Sequence, residues 1–265
     1  MAETMAAEPE FVFERRAGVG VFRLNRPAKL NSLTKPMLLG LRDALDALLA
    51  EGERALVVIG AGEKSFCAGT DLAETREMPP QDRLDKSQMA RELFFRLSRA
   101  PIVSVAAMNG LAYGGGLELA MACNFRLAMP HVRVSLPEIK LGLLPAYGGT
   151  QFLPALVGKG RALEMMLTGR PVDASEALAM GLVSRLADPA GSLTDQALAL
   201  AAEVTQWSQP AIDGIRRCVE AAGADVTING LNMEDEVVRR VFVGDDAKEG
   251  VRAFVEKRAP NYRHR

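Results

Sequence analysis

Apolar and polar positions alternate along "FVFERRAGVGVFRLNRP", residues 11–27, and the alternation breaks at Ala17-Gly18. A period of two on either side of a small-residue break predicts a β-hairpin. In "SLTKPMLLGLRDALDALLA", residues 32–50, the apolar positions Met37, Leu38, Leu41, Ala44, Leu45 and Leu48 recur at helical spacing instead. "RALVVIGAG" (54–62) and "PIVSVAAM" (101–108) carry short apolar runs that read as buried strands, and "RELFFRLSRA" (91–100) reads as a helix. "FCAGTDLAE" (66–74) reads as a loop. "REMPPQDRLDKSQMAR" (75–90), polar and broken by Pro-Pro, reads as a mobile surface excursion. "FRLAM" and "VRVSL" supply two more strands around 125–136.

The order strand, strand, helix thus recurs about three times, which predicts an α/β layered architecture with parallel buried strands. From about residue 192 only helical patterns remain. "SQPAIDGIRRCVEAAG" opens with Ser208 as N-cap and Pro210 in the first turn. "TINGLNMEDEVVRRVFVG" stops at Gly244, and "DDAKEGVRAFVEKR" forms a last short helix. The division expected is a core over 1–191 and a helical region over 192–265, which packs on the body or on another subunit.

Composition narrows the chemistry. The 265 residues are 48% hydrophobic and 25% charged, enough for one sizeable core. Net charge is −1, from 32 Lys+Arg and 33 Asp+Glu, so no basic surplus argues for a nucleic-acid partner. Three cysteines, Cys67, Cys123 and Cys218, are not a disulfide framework, and a reducing compartment is the better reading. With only His131 and His264 present, a Ser-His-Asp hydrolase or a histidine-ligated metal enzyme would have to rely on His131 almost alone, so no metal site is expected. His131 reads as an ordinary turn residue. "MAETMAAEPEF" lacks a basic region followed by an apolar run, and no uncharged apolar stretch is long enough to span a bilayer. The reading is a cytoplasmic protein with no membrane partner.

The chemistry concentrates in "NGLAYGGGLELAMACNF", residues 109–125. Gly114, Gly115 and Gly116 lie between a strand and a helix. They fit either close helix–strand packing or a ligand held at the first unpaired amides of the helix, where the dipole favours a negative oxygen. A second loop, at Gly69, follows an adjacent strand. Two such loops can aim two main-chain N–H groups at one point, an oxyanion hole in which each donor contributes about 3–4 kcal/mol. Glu118 stands inside the apolar helix. A carboxylate there costs several kcal/mol unless paired, with Arg126 as the structural candidate, or functional. Glu138, behind Pro137, is by itself a solvated loop acid. Two carboxylates flanking one small site can grip a water and divide acid and base roles. No Walker loop, nucleophile elbow or Rossmann glycine spacing is present. Cys67, with no histidine nearby, reads as a small core-facing residue.

From about residue 10 to 260 the chain resembles the enoyl-CoA hydratase/isomerase (crotonase) family, on "LNRPAKLNSL", "FCAGTDL", "AAMNGLAYGGGLELAMACNFRLA", "LPEIKLGLLPAYGGTQFLPALVGKGRA", "LTGRPVDASEALAMGLV" and "EGVRAFVEKRAP". The resemblance implies a spiral of β-β-α turns with a C-terminal helical region that builds homotrimers, often paired into hexamers. It implies an acyl-CoA thioester as substrate, with coenzyme A part of that substrate and no separate cofactor. The oxyanion amides fall on Thr70 and Gly115. The CoA moiety falls near Lys29, Ala68, Thr70, Asp71, Leu72 and Gly115, and the catalytic acids fall on Glu118 and Glu138. Hydration of a 2-enoyl-CoA to a 3-hydroxyacyl-CoA follows. The alternatives are a Δ-isomerase, a hydrolase or lyase for a branched or cyclic acyl group, motivated by Tyr113 and Tyr147, and a non-catalytic acyl-CoA-binding subunit. The chain departs from the family pattern in "RPAKLN", in Thr70, in Tyr113 and in Asn124.

Overall fold

The structure, a computed structural model, describes residues 8–221, 238, 240 and 244–264, leaving aside the side chains of 254 and 255. Strand β1 (Phe11–Arg16) pairs antiparallel with β2 (Val19–Leu24), Arg16 facing Val19. The turn between them takes Ala17 and Gly18 to φ values of 51° and 77°, the left-handed geometry that matches strand twist in a tight hairpin.

Then come β3 (Ala55–Gly60), β4 (Ser65–Cys67), β5 (Val103–Met108), β6 (Leu111–Tyr113), β7 (Phe125–Ala128), β8 (Arg133–Ser135), β9 (Val172–Asp173) and β10 (Arg185–Leu186). They form two sheets, ordered β1-β2-β3-β5-β7-β10 and β4-β6-β8-β9. The two strands of each repeat therefore lie in different sheets. β3, β5 and β7 pair in parallel in the larger sheet, and β4, β6 and β8 in the smaller. Each turn of the chain adds one strand to each sheet, the spiral of β-β-α turns that the resemblance implies. β3 and β5 are buried at every position, which is why both read as unbroken apolar runs.

Helix α1 (Lys35–Ala50) starts at Thr34, whose hydroxyl accepts the Met37 amide at 3.3 Å. It buries Met37, Leu38, Leu41, Ala44, Leu45 and Leu48, all six positions expected from the spacing. Each buried leucine contributes about 1.5–3 kcal/mol. Helices α2 (Leu72–Glu77) and α3 (Pro80–Arg99) replace the surface excursion expected over 75–90. Pro79 is extended, and Pro80 sits in the first turn, where its missing N–H costs nothing, so the Pro-Pro pair starts a helix. The buried stripe of α3, Lys86, Ala90, Leu93, Phe94 and Leu97, is helical in spacing but begins with a lysine, which hid it. Next come α4 (Gly115–Ala122), buried at every position, and α5 (Gly149–Val157).

The chain divides into two compact units, Met1–Ala201 and Ala202–Arg265. Within the second, helices run over Gln209–Ala221 and Asp245–Glu256. Ser208 precedes the first of them, with its buried hydroxyl making no hydrogen bond among the described residues. The helix expected over 227–244 lies largely outside the described residues. Among the described residues no helix is long and apolar enough to cross a membrane.

Candidate active site

Three neighbouring parallel strands of the smaller sheet end at one edge. β4 runs into Ala68-Gly69-Thr70, β6 into Gly114-Gly115, and β8 into Leu136-Pro137-Glu138. The carboxyl edge of parallel strands is where open α/β folds bind ligands, because the loops there converge. Here they line a cavity of about 220 Å³ with Ala68, Thr70, Leu72, Gly115, Glu118, Glu138 and Tyr147 on its wall. Leu141, Leu143, Leu144 and Ala146 make the rest of the wall largely apolar.

The geometry of the glycines is compatible with both readings the sequence left open. Gly116 lets α4 approach β4: a methyl there would lie 2.2 Å from the Cys67 carbonyl oxygen. Gly114 takes φ 51°, ψ −129°, a conformation closed to other residues in practice. A methyl on it would meet Glu138 Oε1 at 2.9 Å. Gly115 opens the helix, so its amide has no intrahelical partner. Neither the Thr70 nor the Gly115 amide donates to any group among the described residues. The two loops touch, since a Cβ on Gly69 would stand 3.4 Å from the Gly115 nitrogen.

Glu118 is 1% exposed. Its Oε1 accepts the Tyr147 amide at 2.8 Å and the Gly149 amide at 2.7 Å. Burial drives its pKa up to about 7; the Gly149 amide opposes this, the Glu138 charge adds to it, and the Tyr147 amide opposes it. The ion pair with Arg126 does not form. The Arg126 guanidinium donates instead to the carbonyls of Leu182 at 2.6 Å and Cys123 at 2.7 Å. Glu138 is not a solvated loop acid. Burial raises its pKa, and its Oε2 is buried with no hydrogen-bond partner among the described residues. Burial thus disfavours ionisation of both carboxyls, and an ionised Glu138 raises Glu118 further, so the two titrate as a coupled pair.

Tyr147, named from the sequence only as motivation for an alternative reaction, links the halves of this site. Its main chain holds Glu118. Its ring lies 2.9 Å from where a Gly115 methyl would be. Its hydroxyl bonds Thr70 Oγ1 at 2.8 Å. The "PAYGG" run after Leu144 was the signal available in the sequence. Cys67 is fully buried, its thiol pushed up to about 12 by desolvation. Tyr113 and His131 line a different cavity of about 940 Å³, in which Glu63 is the one lining carboxylate. Lys29 and Asp71 are not brought to the acid pair. They line a separate depression with Arg26, Thr34 and Glu74. The Asp71 carboxylate caps α2 through the Ala73 and Glu74 amides, both at 3.0 Å, and pairs with Arg26 at 2.7 Å.

The enoyl-CoA hydratase/isomerase family model matches residues 14–265. The chain belongs to the enoyl-CoA hydratase/isomerase family. Across this family it is 32% identical to a crotonyl-CoA hydratase from Syntrophomonas wolfei, covering 97% of this chain and 98% of that one. An enoyl-CoA hydratase from Bacillus anthracis superposes with a TM-score of 0.91 at 35% identity, covering 97% and 100% of the two chains. A Pseudomonas aeruginosa protein named DspI superposes with a TM-score of 0.90 at 37% identity, over 99% and 100%. The family relationship thus spans the loops that carry Thr70, Gly115, Glu118 and Glu138.

Proposed function

We propose that this chain adds water across the 2,3 double bond of a 2-enoyl-CoA to give a 3-hydroxyacyl-CoA. The observation that carries the reading is the meeting of two carboxyls, buried Glu118 and half-buried Glu138, with the undonated amides of Thr70 and Gly115 on one cavity. The thioester oxygen accepts both amides, which polarises the conjugated double bond. A water between the acids attacks C3 and gives a proton to the Glu118 carboxylate. The electron pair of the double bond moves to the thioester oxygen as an enolate, held by the two N–H groups. Glu138 then delivers its proton to C2, and the net change is one water added. Each amide lowers the barrier by about 3–4 kcal/mol, because it meets charge that exists only in the transition state.

In this reading the main chain at Ala68 and Leu72 holds the CoA portion, with Lys29 and Asp71 at its margin, and coenzyme A enters as part of the substrate with no further cofactor. The apolar cavity wall suits an acyl chain. The C-terminal helical region builds a homotrimer or a pair of trimers; the exposure of Ile215 at 65%, Val219 at 66% and Val251 at 68% supports this. Three unpaired cysteines support a reducing, cytoplasmic setting.

Hydration of crotonyl-CoA and longer enoyl-CoAs by the wild type and by Glu118→Gln and Glu138→Gln tests the reading. Loss of about a hundred-fold or more in kcat is expected for each variant. Undiminished turnover in either removes that residue from its role. A product heavier by one water separates hydration from isomerisation.

A further inference from the structure

Lys86 is a buried lysine, 2% exposed, on a helix that otherwise turns apolar residues inward. Its ammonium pairs with Glu74 and donates to the Leu33 carbonyl at 3.1 Å and to Thr70 Oγ1 at 3.2 Å. Thr70 Oγ1 in turn lies 2.8 Å from the Tyr147 hydroxyl. The Tyr147 ring is held at its other side by Phe94, edge to face, with centroids 5.9 Å apart. The four residues form one chain, Glu74–Lys86–Thr70–Tyr147, and its last two members line the cavity.

Counting protons gives that chain a direction. An ammonium can only donate, so Thr70 Oγ1 accepts from Lys86. A hydroxyl that accepts from a cation becomes a better donor and a poorer second acceptor. With Thr70 donating to Tyr147, the Tyr147 proton is free for another acceptor. The phenol lies across both halves of the oxyanion hole, its ring against Gly115 and its oxygen against Thr70.

We propose that Tyr147 is a third, side-chain hydrogen-bond donor to the thioester oxygen, with Lys86 and the Thr70 hydroxyl as positioning residues that aim its proton. This rests on the acyl-CoA reading of the same cavity and extends it. Burial and the neighbouring Glu118 and Glu74 charges push the phenol up to about 12, against the Thr70 bond that lowers it, so it stays a neutral donor throughout the working range. The main-chain half of Tyr147, which holds Glu118, is separable: Tyr147→Phe keeps that amide and the ring packing and removes only the hydroxyl.

The test uses acetoacetyl-CoA, whose enolate absorbs in the near ultraviolet and carries the charge the hole is built for. Removing Lys86 strands the Glu74 carboxylate, so the hydroxyls are varied instead. In Tyr147→Phe and in Thr70→Val the pH at which bound acetoacetyl-CoA becomes enolate rises by about one unit, a ten-fold loss. Thr70→Ser, which restores the hydroxyl, recovers most of that shift relative to Thr70→Val. The double variant is no worse than either single one, because all three lose the same aimed donor. An unchanged enolisation pH in Tyr147→Phe, additive losses in the double variant, or no enolate on the wild type overturns the proposal. Wild-type enolate formation without turnover of any 2-enoyl-CoA sinks the hydration reading alone and leaves the donor assignment standing.

Discussion

The carboxylate of Glu118 accepts the main-chain N–H of Gly149 at 2.7 Å. Thirty-one residues separate the two in sequence, and the bond fixes the acid's position from the start of α5. It also stabilises the ionised form of a group that burial drives toward protonation, so Glu118 titrates near the pH at which a base has to work.

A Glu118→Gln variant therefore separates function from stability. Glutamine keeps an oxygen for the Tyr147 and Gly149 amides but loses the charge. The folded pKa of Glu118, about 7, lies above its ordinary 4.5, so the folded state binds the extra proton and wild-type stability falls as pH rises from 4.5 to 7. The burial penalty is complete above pH 7, on the order of 3 kcal/mol. Denaturant unfolding at pH 8 is expected to find Glu118→Gln more stable than wild type, with the difference vanishing near pH 4. Equal stability at both values removes the charge-burial account.

The same titration sets a pH profile. Ionisation of Glu118 makes kcat/KM rise through a limb near pH 7. Glu138, itself raised by burial, is coupled to Glu118 through its charge, so the limb belongs to the pair. Initial rates on crotonyl-CoA from pH 5 to 9 are the measurement, and a flat profile across pH 5 to 8 contradicts it.

Gly114 tolerates no side chain. Gly114→Ala forces a left-handed conformation, φ 51°, on a residue with a Cβ, at a cost of about 1–3 kcal/mol. The new methyl also meets Glu138 Oε1 at 2.9 Å. A lower unfolding midpoint together with at least a ten-fold drop in kcat is expected. A change in stability with full activity shows that the loop does not position Glu138.

Asp71 is expected to act through structure. Asp71→Ala removes the cap of α2 and the Arg26 partner, a loss of about 1–2 kcal/mol. Loosening the residue after Thr70 lowers kcat, while affinity for free coenzyme A, read by calorimetry, stays near wild type. A large loss of coenzyme A affinity with unchanged stability reverses that assignment.

Periodicity alone determined much of this protein. The hairpin at Ala17-Gly18, the six inward residues of α1 and the strands β3 and β5 follow from local sterics and from which faces are buried, and both are written in short windows. The glycine run and Glu118 stood out because flexible or charged residues inside apolar segments demand a reason, whereas Glu138 by itself read as a solvated loop acid. Only the tertiary structure decided what those faces are buried against. Lys86 looked like part of a solvated stretch until α3 turned it inward. Tyr147 meets Thr70 across 77 residues of sequence. Lys29 and Asp71 fell outside the cavity that Ala68 and Leu72 enter. Each of these depends on the register of parallel strands that are distant in sequence, and no local pattern encodes register between segments that meet only after folding.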